Sequence, residues 1–256
     1  MRIARISNLL WRGARFLSML PEHSANSVRF RAFFVRERGF ATPTNIRVGD
    51  RKVDLQFLNE EGVREDCMDC LFHNCYGLGR KLGEVDTIVD VGANVGFFSL
   101  AARAHYRTAT IHAYEPNPRV LPLLRANTSG LDIQVFPEAL GNASGSVIVE
   151  DPGASNAART RRSPLQTEIT QITLETAVQR VGGTIDLLKL DCEGAEWEIL
   201  ANAGSLGAVR NIRMEYHLFD GRSYSQILDL LSDAGFQVFH VGNQYEENGI
   251  IWAARR

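Results

Sequence analysis

At 256 residues, with 45% hydrophobic and 23% charged side chains, the chain has the composition of an ordinary globular domain able to bury a core, which excludes a disordered or low-complexity chain. A net charge of −2 excludes polyanion binding by bulk charge alone. No stretch approaches the ~18 uncharged apolar residues of a membrane-spanning helix.

The charge is unevenly spread. Residues 1–40 carry eight arginines against Glu22 and Glu37, a net of +6, which leaves −8 for the remainder. Within them "RISNLLWRGARFLSML" sets Leu, Trp and Phe among arginines at helical spacing. Two roles suit such a basic amphipathic arm. It packs its apolar face on the domain, or it makes peripheral contact with a membrane surface or an acidic partner. Arg12 and Arg15 interrupt any signal-peptide core, so the expected location is cytoplasmic.

Next, "NIRVGDRKVDLQFLN" alternates around Gly49-Asp50 and reads as a β-hairpin. A helix is expected from about Glu65 to Leu82. It contains "DCMDCLFHNC", whose Cys67, Cys70, Cys75 and His73 have the ingredients of a zinc site. The spacing is compressed, however, and on a helix Cys75 and His73 leave the face shared by Cys67 and Cys70. Reduced structural thiols on a buried face are the expectation. Residues 1–80 are thus read as an N-terminal extension of basic helical arm and hairpin.

Over 81–256 the pattern becomes strand, helix, strand. "TIVDVG" (87–92) is a buried strand, and "FFSLAARAHY" a helix. "ATIHAYEP" (109–116) is a second strand, with a helix over 118–127. "IQVFPEAL" (133–140) reads as a third strand. "GSVIVEDPGASNAARTRRSPLQ" reads as a strand and then a loop rich in Gly, Ser, Pro and Arg. "ITQITLETAVQRVG" gives a strand and helix, "IDLLKLDCEG" (185–194) a fourth core strand, and "AEWEILANAG" its helix. "VRNIRMEYH" (209–217) is the fifth. "SYSQILDLLSDAG" is an amphipathic helix ending at Gly235, and "FQVFHVG" and "GIIWAAR" close the chain. The alternation predicts a mostly parallel sheet with helices on both faces. The last two strands are separated only by "NQYEEN", too short for a crossover, so their pairing must be antiparallel.

Ligands of an open parallel sheet lie beyond the carboxyl ends of its strands. The sequence places Asp90, Gly92, Asn94 and Gly96 at the first end, Tyr114, Glu115 and Asn117 at the second, and Glu138 and Ala139 at the third. Lys189, Asp191, Glu193 and Glu196 follow the fourth, and Glu215 and His217 the fifth. Glu115, at the end of the next strand after the glycine loop, is placed to accept ribose hydroxyls in NAD and S-adenosylmethionine (SAM) proteins alike. The loop discriminates. Asn94 replaces the middle glycine of a dinucleotide fingerprint, which disfavours a pyrophosphate and hence an NAD-dependent oxidoreductase. It suits the amino-acid end of SAM, with Asp90 or Asn94 hydrogen-bonding the methionine ammonium or carboxylate.

Taken in order, "DVGANVGFFSL", "AYEPNP", "ITLETAV", "LLKLDCEGAEWEIL" and "RMEYH" resemble the FkbM family of SAM-dependent methyltransferases, over about Thr87 to Arg256. The resemblance implies an α/β, Rossmann-like class I methyltransferase fold, with a mostly parallel seven-stranded sheet and an antiparallel last strand. It implies O-methylation of a saccharide, glycolipid or natural-product hydroxyl. By position, Asp90, Gly92, Asn94 and Gly96 match the SAM loop and Glu115 the ribose acid, with Asn117 at the same strand end. Glu138 and Ala139 match the strand end beside adenine. Asp191, Glu193 and Glu196 match the acidic D-x-E-G-x-E signature.

Methyl transfer is an in-line displacement that needs a nucleophile held within ~3–3.5 Å and relieved of its proton. Asp191 and Glu193 are candidate base or substrate-holding groups, and His217 is the better base by intrinsic pKa. A divalent metal held by Asp191, Glu193 and Glu215 or His217 is a second option. The arginine-rich "NAARTRRSP" (156–164) either holds an anionic acceptor or is a solvated loop. Two further readings are a SAM-binding module without turnover and a nucleic-acid methyltransferase. No N-P-P-Y-like motif supports the latter. Acceptor identity and oligomeric state stay open.

Overall fold

In the computed structural model, which describes residues 20–33, 41–202, 204–242, 244 and 247–256, the apolar runs of the sequence stack into one central sheet. The proposed membrane-contacting helix in residues 1–19 lies outside the described residues. A helix over 20–30 (α1) precedes the hairpin β1 (Asn45–Val48) and β2 (Arg51–Asp54), paired antiparallel about Gly49-Asp50. Helix α2 (Glu61–Asp66) runs into a π-helical turn, Cys67–Phe72. The helix expected to reach Leu82 therefore stops early. Asn74 takes a left-handed φ of 52° and caps the end, bonding the amide and carbonyl of Leu78 at 2.8 and 3.0 Å.

The main sheet contains β3 (Thr87–Val91), β4 (Thr110–Tyr114), β5 (Ile133–Phe136), β10 (Ile185–Leu190), β11 (Val209–His217), β12 (Phe236–Gly242) and β13 (Asn248–Arg255). Its order is β12-β13-β11-β10-β3-β4-β5, and β13 alone runs antiparallel, inserted between β11 and β12. This is the class I methyltransferase sheet expected from the sequence. The chain leaves β3 toward one edge and returns to β10 to build the other, so the β3/β10 junction is the topological switch point.

Helices α3 (Phe97–His105), α4 (Leu121–Thr128), α5 (Leu174–Arg180), α6 (Glu196–Leu200) and α7 (Tyr224–Asp233) connect the strands. On one face, Phe30, Val63, Leu71 and Phe72 pack in the same cluster as Ile88, Leu100 and Leu187. On the other, Leu174, Trp197, Ile227 and Leu231 pack with Val89, Leu188 and Ile212. The segment before residue 80 thus shares the core of the sheet it precedes.

Two further expectations are corrected. The third strand, read as 133–140, is two strands in different sheets: β5, and β6 (Glu138–Gly141), with Pro137 between them. Proline supplies no ladder N–H, so the pairing changes there. β6 belongs to a four-stranded sheet of order β6-β9-β7-β8, with β7 (Gly145–Glu150), β8 (Arg159–Arg162) and β9 (Ile169–Thr173). The arginine-rich stretch is therefore partly strand. As an edge strand with little burial on either face, β8 shows no apolar alternation and pairs with β7 by backbone.

A polar clasp joins this second sheet to the first. Asp151, just after β7, accepts from Arg119 Nε at 2.7 Å, Arg119 Nη2 at 2.9 Å and Asn117 Nδ2 at 2.7 Å. Arg119 also binds Glu60, whose other oxygen accepts from the Ser155 amide at 2.7 Å. The Arg119 hydrogen bonds hold the Asp151 carboxyl down to about 2.

Asp151→Asn is expected to cost ~1 kcal/mol of unfolding free energy at neutral pH. The native pKa lies below the unfolded value of ~3.9, so this contribution is present above that value and lost as pH falls through about 2. Urea unfolding of the two proteins should converge at the acid end. At Gly92 (φ +73°) an added Cβ meets the Asp191 carbonyl oxygen at 1.8 Å. Gly92→Ala is therefore expected to lose ~3 kcal/mol or more in the same measurement.

Candidate active site

The ends of β3 and β10 meet closely. The Asp191 amide donates to Val91 O at 3.2 Å, and only a glycine at 92 lets the two backbones approach. The loop then folds over Glu115. This buried carboxylate accepts from the Asn94 amide at 2.7 Å and the Asn117 amide at 2.8 Å. Burial nevertheless pushes its carboxyl up to about 7. Asn94 sits at φ +47°, a left-handed position that asparagine tolerates, and its Nδ2 donates to Asp66 Oδ2 at 3.3 Å.

Beneath the loop lies the buried Lys189. Its Nζ donates to Gly92 O at 2.6 Å and Val91 O at 3.2 Å, and sits 3.2 Å from Asp90 and 3.4 Å from Asp191. Burial opposes its charge, but Asp90 and Asp191 outweigh burial and raise the ammonium pKa. Tyr76 Oη donates to Asp191 Oδ2 at 3.0 Å.

The second half of the site is built around His217, at the end of β11. Its Nδ1 lies 3.0 Å from Glu196 Oε1, which also accepts the His217 amide at 3.0 Å. Glu196 is fully buried, and its other oxygen accepts from the Gly194 amide at 2.8 Å. The imidazole Nε2 faces Glu193 at 3.5 Å and Glu215 at 4.0 Å. Burial works against the imidazolium, but the Glu196 hydrogen bond and the charges of Glu196, Glu193 and Asp191 push it up to about 10. Glu193 occupies a left-handed φ of 54°, a costly position for glutamate that is concentrated at functional sites. Burial pushes its carboxyl up to about 7, against the pull of His217. Burial, then Asp191, also raises the Glu215 and Asp66 carboxyls. Beyond His217, the Phe219 ring stacks on the imidazole at 5.5 Å, and the Arg159 guanidinium lies 3.6 Å over Phe219.

These groups surround a cavity of about 800 Å³, within the ~300–1,000 Å³ of small-molecule sites. Of the residues singled out from sequence, Gly92, Asn94, Glu115, Asn117, Glu138, Ala139, Asp191, Glu193 and His217 line it. Asp90 and Gly96 do not. Asp90 is fully buried one layer below, accepting from Ser99 Oγ at 2.6 Å and paired with Lys189, so it supports the loop rather than facing a ligand. Gly96 starts α3 against Leu124. Glu138 is ion-paired with Arg180. Of the expected arginine cluster, Arg159 reaches the wall while Arg161 pairs with Glu150.

Sequence reasoning missed Asp66 and Tyr76, which enter the wall from before residue 80. The signal for Asp66 was the acidic spacing of Glu65, Asp66 and Asp69; nothing local marks Tyr76. Cys67, Cys70, Cys75 and Cys192 are free thiols. Cys70 and Cys75 line the cavity. A metal could be held by Asp191, Glu193 and His217, whose ligand atoms all lie within 4.8 Å of one another.

The residues fit SAM. Glu115 uses two of its roughly four acceptor positions on backbone amides, leaving two for donors in the cavity, a pattern that vicinal hydroxyls match. The bare Gly92 cradle gives close approach, and the acid-rich wall of Asp66, Asp191, Glu193 and Glu215 complements a sulfonium and an ammonium.

Comparison with known proteins gives the family. Residues 90–238 match the methyltransferase FkbM domain. The chain is 28% identical to methyltransferase sdnD of Sordaria araneosa, covering 73% of this chain and 84% of that one. It is 27% identical to the 31-O-demethyl-FK506 methyltransferase FkbM of Streptomyces tacrolimicus, covering 77% and 86%. Among solved structures it is similar to magnesium protoporphyrin IX methyltransferase (ChlM) from Synechocystis PCC 6803, with a TM-score of 0.49, 14% identity and coverage of 78% and 86%. The chain belongs to the FkbM methyltransferase family and is a SAM-dependent methyltransferase of class I fold.

Proposed function

We propose that the enzyme methylates a hydroxyl of a saccharide, glycolipid or other natural-product acceptor. The observation that carries this reading is the Glu193–His217 pair, which faces the cavity and is fixed from behind by the buried Glu196. A proton acceptor so held at the strand ends is what a weakly acidic hydroxyl needs before attack. One relative is named as a 31-O-demethyl-FK506 methyltransferase, which supports oxygen as the methylated atom and a natural product as acceptor. Residues 81–256 form the methyltransferase domain in this reading, with 1–80 an extension that supplies part of its wall. The free thiols support a reducing, cytoplasmic location.

SAM, when bound, supplies a methyl group on a positively charged sulfur. The chain does the rest. Gly92, Asn94, Glu115 and Asn117 bind the donor's amino-acid and ribose portions, and Ala139 with Glu138 bounds its base. Lys189 and Tyr76 hold the Asp191 carboxylate toward the cavity. Glu193, its carboxyl pushed up to about 7, receives the hydroxyl proton. His217, pushed up to about 10 and so already protonated, is corrected from base to the cation that orients Glu193, and the Arg159–Phe219 stack fixes the imidazole plane. A divalent cation held by Asp191, Glu193 and His217 is the second reading, favoured by their 4.8 Å clustering. It would lower the hydroxyl pKa directly.

Glu193→Gln and His217→Asn are each expected to lower kcat by ~10²–10⁴-fold. Their affinity for S-adenosylhomocysteine, measured by calorimetry, should hold. Full turnover in both, on an acceptor found with labelled SAM and a panel of sugars and natural products, overturns the assignment. Under the first reading EDTA leaves turnover intact; a loss restored by Mg²⁺ or Mn²⁺ establishes the second.

A further inference from the structure

Asp66 lies outside the span that matches the family, 90–238, yet its carboxylate lines the cavity beside the donor loop. It is the last residue of α2, where the chain enters the π-helical turn, a local irregularity often found at functional sites. Among the described residues its hydrogen bond is to Asn94 Nδ2, and at 3.3 Å it is a long one. Asn94 Oδ1 is buried with no hydrogen-bond partner. Asp191 and Glu215 line the same space. The cation of this layer, Lys189, is already directed at Gly92 O, Val91 O, Asp90 and Asp191. Acceptors therefore outnumber donors at this corner. The missing partner is a compact cation with several N–H groups, which describes a primary ammonium. A shared metal is a poorer match, because the cluster of ligand atoms close enough to hold one does not include Asp66.

The position along the sheet edge agrees. If Ala139 bounds the base and Glu115 takes the ribose, the donor's amino-acid end falls toward the β3/β10 junction, where Asn94 meets Asp66. We propose that Asp66 and Asn94 together receive the α-ammonium of the methyl donor, so that the N-terminal extension takes part in donor recognition. This rests on the donor site assigned above.

The test is calorimetry on the full chain with two probes. S-adenosylhomocysteine carries the ammonium; 5′-methylthioadenosine keeps the nucleoside and thioether but has no amino-acid end. Asp66→Asn, nearly isosteric, is expected to weaken S-adenosylhomocysteine by ~10-fold or more. It should leave 5′-methylthioadenosine unchanged, which also reports that the variant is folded, and Asp66→Glu should recover part of the loss. Unchanged S-adenosylhomocysteine affinity in Asp66→Asn, with wild type binding normally, overturns the inference alone. Equal weakening of both probes overturns it too. If wild type binds neither probe, the donor-site reading fails and this inference falls with it.

Discussion

One buried ammonium holds the site together. Lys189 on β10 binds the carbonyls that end β3 and the carboxylates of Asp90 and Asp191 on either side. It thereby ties together the two strands between which the chain reverses its winding. A buried charge so shared is costly to expose or to leave alone, and removing one partner strands the others. Lys189 thus meets the Gly92 carbonyl and the Asp191 carboxylate at the base of the cavity. Asp90 belongs to that foundation rather than to the cavity wall.

Above the foundation the charge balance reverses. Asp66, Glu115, Asp191, Glu193 and Glu215 face the cavity, set against Lys189, His217 and Arg159. Crowding and burial make these carboxylates hard to ionise together, as the raised values at Glu115 and Glu193 express. The strain of the Glu193 backbone adds to that cost. A cavity arranged this way is stabilised by a positively charged occupant, and the methyl donor is one.

The parts legible in sequence were those encoded locally. The apolar run of β3, the acid that follows β4 and the D-x-E-G turn after β10 each announce themselves within a few residues. The close spacing of β12 and β13 fixed their antiparallel pairing. What was hidden depends on distance or on missing pattern. Tyr76 reaches Asp191 across 115 positions, and Asp66 reaches Asn94 across 28. The β8 strand has too little burial to impose alternation. Pro137 looked like an interior residue of one strand because the runs on both sides are apolar, although they serve different sheets. His217 was identifiable as a candidate, but its dependence on Glu196, 21 residues earlier, appears only when α6 and β11 meet.

The break at Pro137 has a mechanical meaning. The cavity wall at Ala139 stands on the smaller sheet, whereas the Gly92 loop stands on the larger. Any molecule long enough to touch both bridges two sheets joined by Pro137, the polar clasp and the shared packing of Leu140 and Ile172 against Val91 and Tyr114. A ligand that spans both sheets would draw its binding free energy partly from that joint, so a looser joint would weaken binding.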